Sequence, residues 1–246
     1  MKTQSENFFV DKFIPKNARA MINRWKNFSP HTITIMFKTS FSIICLILFA
    51  KLTFSLLNTE SSIAIQSFDE SILKWVETLR TPFLNAMMVD ITSLGGLALT
   101  VILGLLTVFI FLIAGDPAAA IHLIITATGG FYISLWTKSL ILRPRPTIIP
   151  QLIHASGFSY PSGHATTSAA IYLTMAILTC RHFKSYNKRF FLLFLAAIMI
   201  TLISFSRIYL GVHYPSDTMS GALIGLAWAL FMAALFSKLH FHSGKY

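Results

Sequence analysis

Residues 91–140 read ITSLGGLALTVILGLLTVFIFLIAGDPAAAIHLIITATGGFYISLWTKSL. Two apolar runs, Ile91 to Ala114 and Ala118 to Leu140, flank the triplet Gly115-Asp116-Pro117. A helix needs about 20 mostly apolar residues to cross hydrocarbon, and Gly and Pro punctuate such runs. The stretch predicts a hairpin of two spanning helices. Four more runs share its character: Thr32 to Leu57, Gly163 to Cys180, Phe190 to Leu210 and Ser216 to Phe236. Lys38 and Lys51 stand near the ends of the first, where long side chains snorkel to the headgroups. Composition agrees. Of 246 residues, 54% are hydrophobic and 12% charged, against roughly 25% charged in soluble domains, and mean hydropathy is +0.66. The expected fold class is all-α: a polytopic membrane protein with six transmembrane helices.

Between the first two runs, Ser67 to Arg80 alternates apolar Phe68, Ile72, Leu73, Trp75, Val76 and Leu79 with charged Asp69, Glu70, Lys74, Glu77 and Arg80. That spacing predicts an amphipathic helix lying in the interface, with a solvated connecting loop as the alternative. No internal repeat or low-complexity segment is visible. The expected organisation is a basic cytoplasmic segment over residues 1–30, a six-helix membrane domain over 31–238 and a short cytoplasmic tail over 239–246. The first thirty residues are polar and basic without an apolar core, so the first run is expected to be retained rather than cleaved. Cys45 and Cys180, far apart and in or beside apolar runs, are expected to be small apolar fillers rather than a disulfide or metal pair.

Charge orients the chain. The net charge is +11. With six spans, Lys2, Lys12, Lys16, Arg19, Arg24 and Lys26 share one side with Arg181, Lys184, Lys188, Arg189, Lys238 and Lys245. The positive-inside rule makes that side cytoplasmic. These charges suit anionic headgroups, whereas nucleic-acid binding wants a basic patch on a folded polar surface, which the sequence lacks. The opposite side receives the interfacial segment and the loops Ile141 to Pro161 and Gly211 to Pro215.

On that outer side sit three clusters, Lys138-x6-Arg145-Pro146, Pro161-Ser162-Gly163-His164 and Ser206-Arg207-x5-His213-x3-Asp217. Lys138, Arg145 and Arg207 are cations beside hydrocarbon, where charge is costly and usually paired or functional. Asp217 is the one acid nearby in this reading, so an anionic ligand is expected to balance them. Arginine forks match phosphate oxygens. Pro161, placed at the first helical position, would leave the Ser162 and Gly163 amides free at a helix N-terminus, a ready anion site. Pro215, opening the last span, would put Asp217 in its first turn, reaching back toward His213. A carboxylate on one ring nitrogen leaves the other as a directed lone pair, so His213 can act as nucleophile or base and His164 as the acid for a leaving oxygen. No carboxylate cluster for Mg²⁺ and no Cys or His set for Zn²⁺ is seen, so no metal or other cofactor is expected.

These clusters resemble, position for position, the three signature motifs of the type 2 phosphatidic acid phosphatase family. The matching residues are Lys138, Arg145, Pro146, Pro161, Ser162, Gly163, His164, Ser206, Arg207, His213 and Asp217. The motifs cover about eighty residues, and the six-span layout extends the likeness to most of the chain, the first thirty residues excepted. The resemblance implies a His213 nucleophile, an orienting Asp217, a His164 general acid, and phosphate binding by Lys138, Arg145, Ser162, Gly163 and Arg207. It also implies a metal-independent reaction on a lipid phosphate, as in bacterial phosphatidylglycerophosphate and undecaprenyl pyrophosphate phosphatases. The site would then face the periplasm or exterior of the cytoplasmic membrane.

Other residues are weighed against blander roles. His31, His182, His240 and His242 fall on the cytoplasmic side and are expected to be solvated, and His122 to be hydrogen-bonded. His154, in a loop near the site, is a lesser candidate for ligand contact. Arg143, one register off the motif, is a candidate for a second phosphate group. Tyr160 and Tyr209 read as interfacial aromatics first, and Ser206 as a residue that orients Arg207. A phosphotransferase remains open as the alternative to a phosphatase. A vanadate haloperoxidase is disfavoured by the dense spans, and an anion transporter by charges that sit at span ends rather than deep inside.

Overall fold

The structure, a computed structural model, describes residues 29–242, with side chains described through Lys238. Most of the basic segment expected over residues 1–30, and the end of the 239–246 tail, lie outside the described residues. The chain divides into two units, residues 1–37 and 38–246. The described part of the first is Ser29 and the opening of α1 (Pro30–Leu57), where Ser29 Oγ accepts the Thr32 N–H at 3.1 Å, as a helix cap does. The second unit holds the rest of α1 and all later helices. These are α2 (Thr59–Thr78), α3 (Pro82–Ser93), α4 (Leu97–Ile113), α5 (Pro117–Ile141), α6 (Gly163–Cys180), α7 (Tyr186–Tyr209) and α8 (Pro215–His242). No strand occurs among the described residues.

Local sequence explains where the helices start. Asn58 Oδ1 accepts the Glu60 N–H at 3.1 Å to open α2. Thr81 Oγ1 accepts the Leu84 N–H at 3.2 Å ahead of Pro82 in α3. In the Gly115-Asp116-Pro117 turn, Asp116 Oδ1 accepts the Ala119 N–H at 2.9 Å and Pro117 takes the first helical position of α5.

Among the described residues, four helices are long and apolar enough to cross a bilayer: α1, α5, α7 and α8. The pair α3 and α4, bent by 46° at Leu94-Gly95-Gly96, makes a fifth if it is one span. The run expected as a continuous helix from Ile91 is therefore broken near its start. The sixth expected span, α6, forms as a helix of 18 residues, about 27 Å at 1.5 Å per residue. It is less apolar than the others because α5, α7 and α8 cover it, and its buried face carries Thr166, Ser168 and Thr174. Protein, not lipid, is its solvent. The amphipathic segment is helical as expected but starts earlier, at Thr59. It buries Asp69, Leu73 and Val76 and exposes Phe68 and Trp75.

The packing of α6 on α8 sets up the site. A Cβ on Gly221 would come within 2.5 Å of the Ser162 carbonyl, and one on Gly225 within 2.4 Å of the Thr166 carbonyl. These glycines, four apart, let the two backbones touch, the small-residue device of membrane helix pairs. The N-termini of α6 and α8 are thereby held side by side. Tyr160 and Tyr209 are core residues rather than interfacial aromatics. Both are buried, with the Tyr160 hydroxyl 2.6 Å from Thr53 Oγ1 and that of Tyr209 donating to Asn85 Oδ1 at 2.9 Å.

Candidate active site

Several motif residues lie at helix ends. Lys138 is in the last turn of α5 and Arg207 in the last turn of α7, while Gly163 and His164 open α6 and Asp217 lies in the first turn of α8. Arg145 and His213 come from the connecting loops. These groups share one neighbourhood: His164 feels the charges of Arg207, His213, Arg145 and Lys138, and a Cβ on Gly163 would lie 3.9 Å from Lys138 Cε.

His213 is the best-defined centre. Its Nδ1 lies 3.5 Å from Asp217 Oδ2 and 3.3 Å from Ser159 Oγ, and its Nε2 lies 3.1 Å from Arg145 Nη1. A guanidinium only donates, so Nε2 is the accepting nitrogen and the ring hydrogen sits on Nδ1, toward Asp217. Burial pushes the imidazole down to about 3, only partly offset by Asp217, with Arg207 and Lys138 lowering it further. The ring is therefore neutral near pH 7, with its lone pair on the side of the cations. Asp217 Oδ2 also accepts the Tyr214 N–H at 2.9 Å and the Ser159 hydroxyl, the backward reach its place in α8 predicts.

The cations are held mainly by backbone carbonyls. Lys138 Nζ donates to Phe158 O at 2.8 Å and Ser159 O at 3.2 Å. Arg145 donates to the carbonyls of Gly157, Val212 and Ser156 at 3.1, 2.8 and 2.8 Å. Arg207, 5% exposed, donates from Nη1 to Thr92 Oγ1 at 2.8 Å. Among the described residues, none of these three forms an ion pair with a carboxylate within 4 Å. Carbonyl dipoles fix the side chains without cancelling their charge. The Ser162 hydroxyl and Arg207 Nε are buried without a hydrogen-bond partner, an arrangement that costs about 1–3 kcal/mol per group unless a ligand satisfies it.

Several expectations need correction. Helix α6 starts at Gly163 with Ser162 as its cap, so Pro161 is not its first residue. The Ser162 N–H is not free: it donates to the Asp217 carbonyl at 3.0 Å, because the turn is braced on the start of α8. The amides of Gly163 and His164 remain as those an α-helix leaves without intrahelical acceptors. Asp217 is not the only acid nearby, since Asp69 arrives from α2 and pairs with Arg143. Arg143 is turned to two carboxylates, Asp69 and Asp217, rather than to the cation cluster. Ser206 Oγ donates to Ile203 O at 2.7 Å and does not hold Arg207; Thr92 does. His154 stands exposed on its loop.

Sequence reading missed Ser159, Asp69, Thr92 and Ser216. Ser159 is two residues before Pro161 and carried no separate signal, while Asp69 and Thr92 come from helices outside the motifs. The loop bearing His213 also depends on Gly211, at φ +73, where a Cβ would meet Pro150 O at 2.9 Å and Arg80 Nη2 at 3.0 Å. Arg80 donates there to the carbonyls of Tyr209 and Pro150 at 2.8 Å each. Gly211→Ala is expected to cost about 1–3 kcal/mol from left-handed strain and crowding, read as a lowered thermal midpoint in detergent.

A helical membrane scaffold with these three motifs at one end defines a class. Residues 118–241 match the sequence model of the PAP2 superfamily, and the chain belongs to that superfamily. It is 34% identical over 168 residues to phosphatidylglycerophosphatase B of Bacillus subtilis, covering 66% of this chain and 80% of that one. It is 31% identical to an undecaprenyl-diphosphatase of Sulfolobus acidocaldarius, over 38% of this chain and 36% of that protein. The crystal structure of the Bacillus subtilis PAP2-type phosphatidylglycerolphosphate phosphatase superposes with a TM-score of 0.72 at 28% identity, covering 83% of this chain and 97% of that one. The chain is a membrane phosphatase by family.

Proposed function

We propose that the protein hydrolyses the phosphate ester or pyrophosphate of a membrane lipid through a phosphohistidine at His213, without a metal. The observation that carries this is the pairing of a neutral, Asp217-backed imidazole with Lys138, Arg145 and Arg207, none of them ion-paired to a carboxylate among the described residues. The phosphate enters among the three cations, the Ser162 hydroxyl and the Gly163 amide. Arg145 then exchanges its contact with His213 Nε2 for a phosphate oxygen, freeing the lone pair. Nε2 bonds to phosphorus as the P–O bond to the lipid breaks, and His164, held as imidazolium by the negative charge of the bound phosphate, gives its proton to the departing oxygen. Asp217 stabilises the positive ring through Nδ1–H. Water then attacks phosphorus, its proton returns to His164, and the P–N bond breaks to release inorganic phosphate and neutral His213. Cations and fixed donors stabilise the equatorial oxygens throughout.

The lipid tail lies sideways. An apolar groove of about 300 Å³ runs between α4 and α5, walled by Leu97, Val101, Gly104, Leu123, Phe131 and Ile171. Ile171 is seven residues along α6 from His164, about 10 Å at 1.5 Å per residue. We further propose that α6 and the bent α3–α4 pair complete six spans. Both termini then lie in the cytoplasm and the site faces the exterior of a bacterial cytoplasmic membrane, as the basic loops favour.

The test uses detergent-purified protein with EDTA on phosphatidic acid, phosphatidylglycerophosphate and undecaprenyl pyrophosphate. Phosphate release from at least one is expected, undiminished by the chelator. Release abolished by EDTA, or transfer to an added acceptor with little free phosphate, would overturn this reading.

A further inference from the structure

Arg143 has a place in the structure that the phosphate-binding motifs do not account for. Its Nη1 donates to Asp217 Oδ1 and Ser216 Oγ at 2.7 Å each, and its Nη2 to Asp69 Oδ2 at 2.8 Å and Gln66 Oε1 at 2.9 Å. The Tyr214 ring lies 4.0 Å from its guanidinium carbon. The Arg143 side chain is 10% exposed, and those of Asp69 and Asp217 are 0% exposed. Both ends of the fork are filled, so Arg143 reaches a phosphate only by abandoning two buried carboxylates. Asp69 is equally committed. Its Oδ1 accepts the Ser216 N–H at 2.9 Å and its Oδ2 the Ser216 hydroxyl.

We propose that Arg143 and Asp69 are a positioning pair: the interfacial helix α2, through Asp69, locks Arg143, and Arg143 locks Asp217 so that its other oxygen faces His213. The proposal rests on the phosphatase reading above. The division of labour within Asp217 is the key geometry. Oδ1 goes to Arg143, while Oδ2 goes to His213 Nδ1, Ser159 and the Tyr214 amide. With one oxygen pinned by a planar fork, the carboxylate cannot rotate away from the ring. A lysine does not substitute, because a single ammonium lacks the fork that spans both acids. The three elements brought together, α2, the loop after α5 and the start of α8, are distant in sequence, and Ser216 bonds to both members of the pair. Catalytic orientation is thereby tied to the seating of a helix outside the family motifs.

The charge on Arg143 also tempers how strongly Asp217 favours protonation of His213. The other charged or titratable groups facing that ring are Arg145, Lys138, Arg207 and His164, and none of them changes in the test. Arg143→Gln leaves Asp69 buried without its cation and risks misfolding, so the decisive variant is the neutral double, Asp69→Asn with Arg143→Gln. It is compared with wild type and Arg143→Lys on a lipid that wild type hydrolyses, and the thermal midpoint is measured alongside. Groups one step behind the reacting atoms typically carry about 10–100-fold. For the double variant a kcat loss in that range is expected, with KM within about twofold and the acid limb of kcat/KM moved to higher pH. Arg143→Lys is expected to recover little of the loss. A double variant with wild-type kcat and an unmoved acid limb would overturn the proposal, as would a KM increase at unchanged kcat, which marks direct substrate contact. Wild type releasing no phosphate from any lipid would instead sink the phosphatase reading and this proposal with it.

Discussion

His213→Ala is expected to lower turnover of a lipid phosphate by at least about 10³-fold, in line with loss of a nucleophile that works as a unit with its partners. The reasons are structural. The Nε2 lone pair is the group in the site that faces Arg145, and burial keeps the ring neutral well below pH 7. The Asp217 carboxylate stands 3.5 Å behind its Nδ1. The variant is expected to stay folded, because the loop backbone is held independently: Val212 N–H donates to Arg207 O at 3.2 Å, and Tyr214 N–H to Asp217. Phosphate release is the measurement, with thermal midpoint as the control. Activity near wild type would remove His213 from the reaction.

Arg207→Ala is expected to be the second most severe change, at about 10²–10³-fold in kcat/KM, the range for removing a preorganised charge from an oxyanion site. Both constants should move. In the proposed mechanism the guanidinium binds the ground-state phosphate and stabilises the charge that builds on its oxygens in the transition state, so KM should rise and kcat fall. Its burial, its bond to Thr92 and, among the described residues, its unpartnered Nε support this. Arg207→Lys should restore charge but not the fork, and recover only part of the loss. A wild-type value for either constant in Arg207→Ala would count against direct phosphate contact.

Much of this was legible in the residues. Apolar runs placed most of the helices, since a bilayer-crossing segment must be long and continuous. Gly115-Asp116-Pro117 marked a true helix boundary, and Pro215 a true helix start with Asp217 reaching back. What was hidden has a physical pattern. The break at Leu94-Gly95-Gly96 lies inside an apolar run, where hydropathy stays high while the backbone bends. The run Gly163 to Cys180 coincides with α6, but Pro161 stands two residues ahead of its start, and the Ser162 amide is claimed by α8, a tertiary contact no local signal reports. Asp69 read as one charge on an amphipathic face, although it is buried against Arg143. Partners that come from distant helices leave no spacing to recognise, so Ser159, Thr92 and Ser216 emerged only with the fold.

Phosphoryl capture on His213 is the most direct test of the central claim. Protein mixed with a lipid phosphate, quenched in base within one turnover and digested, should yield a peptide phosphorylated on the His213 ring, seen by tandem mass spectrometry and missing in His213→Ala. A phosphoryl group on any other side chain would contradict the account, as would phosphate release by an active enzyme that never forms a phosphohistidine.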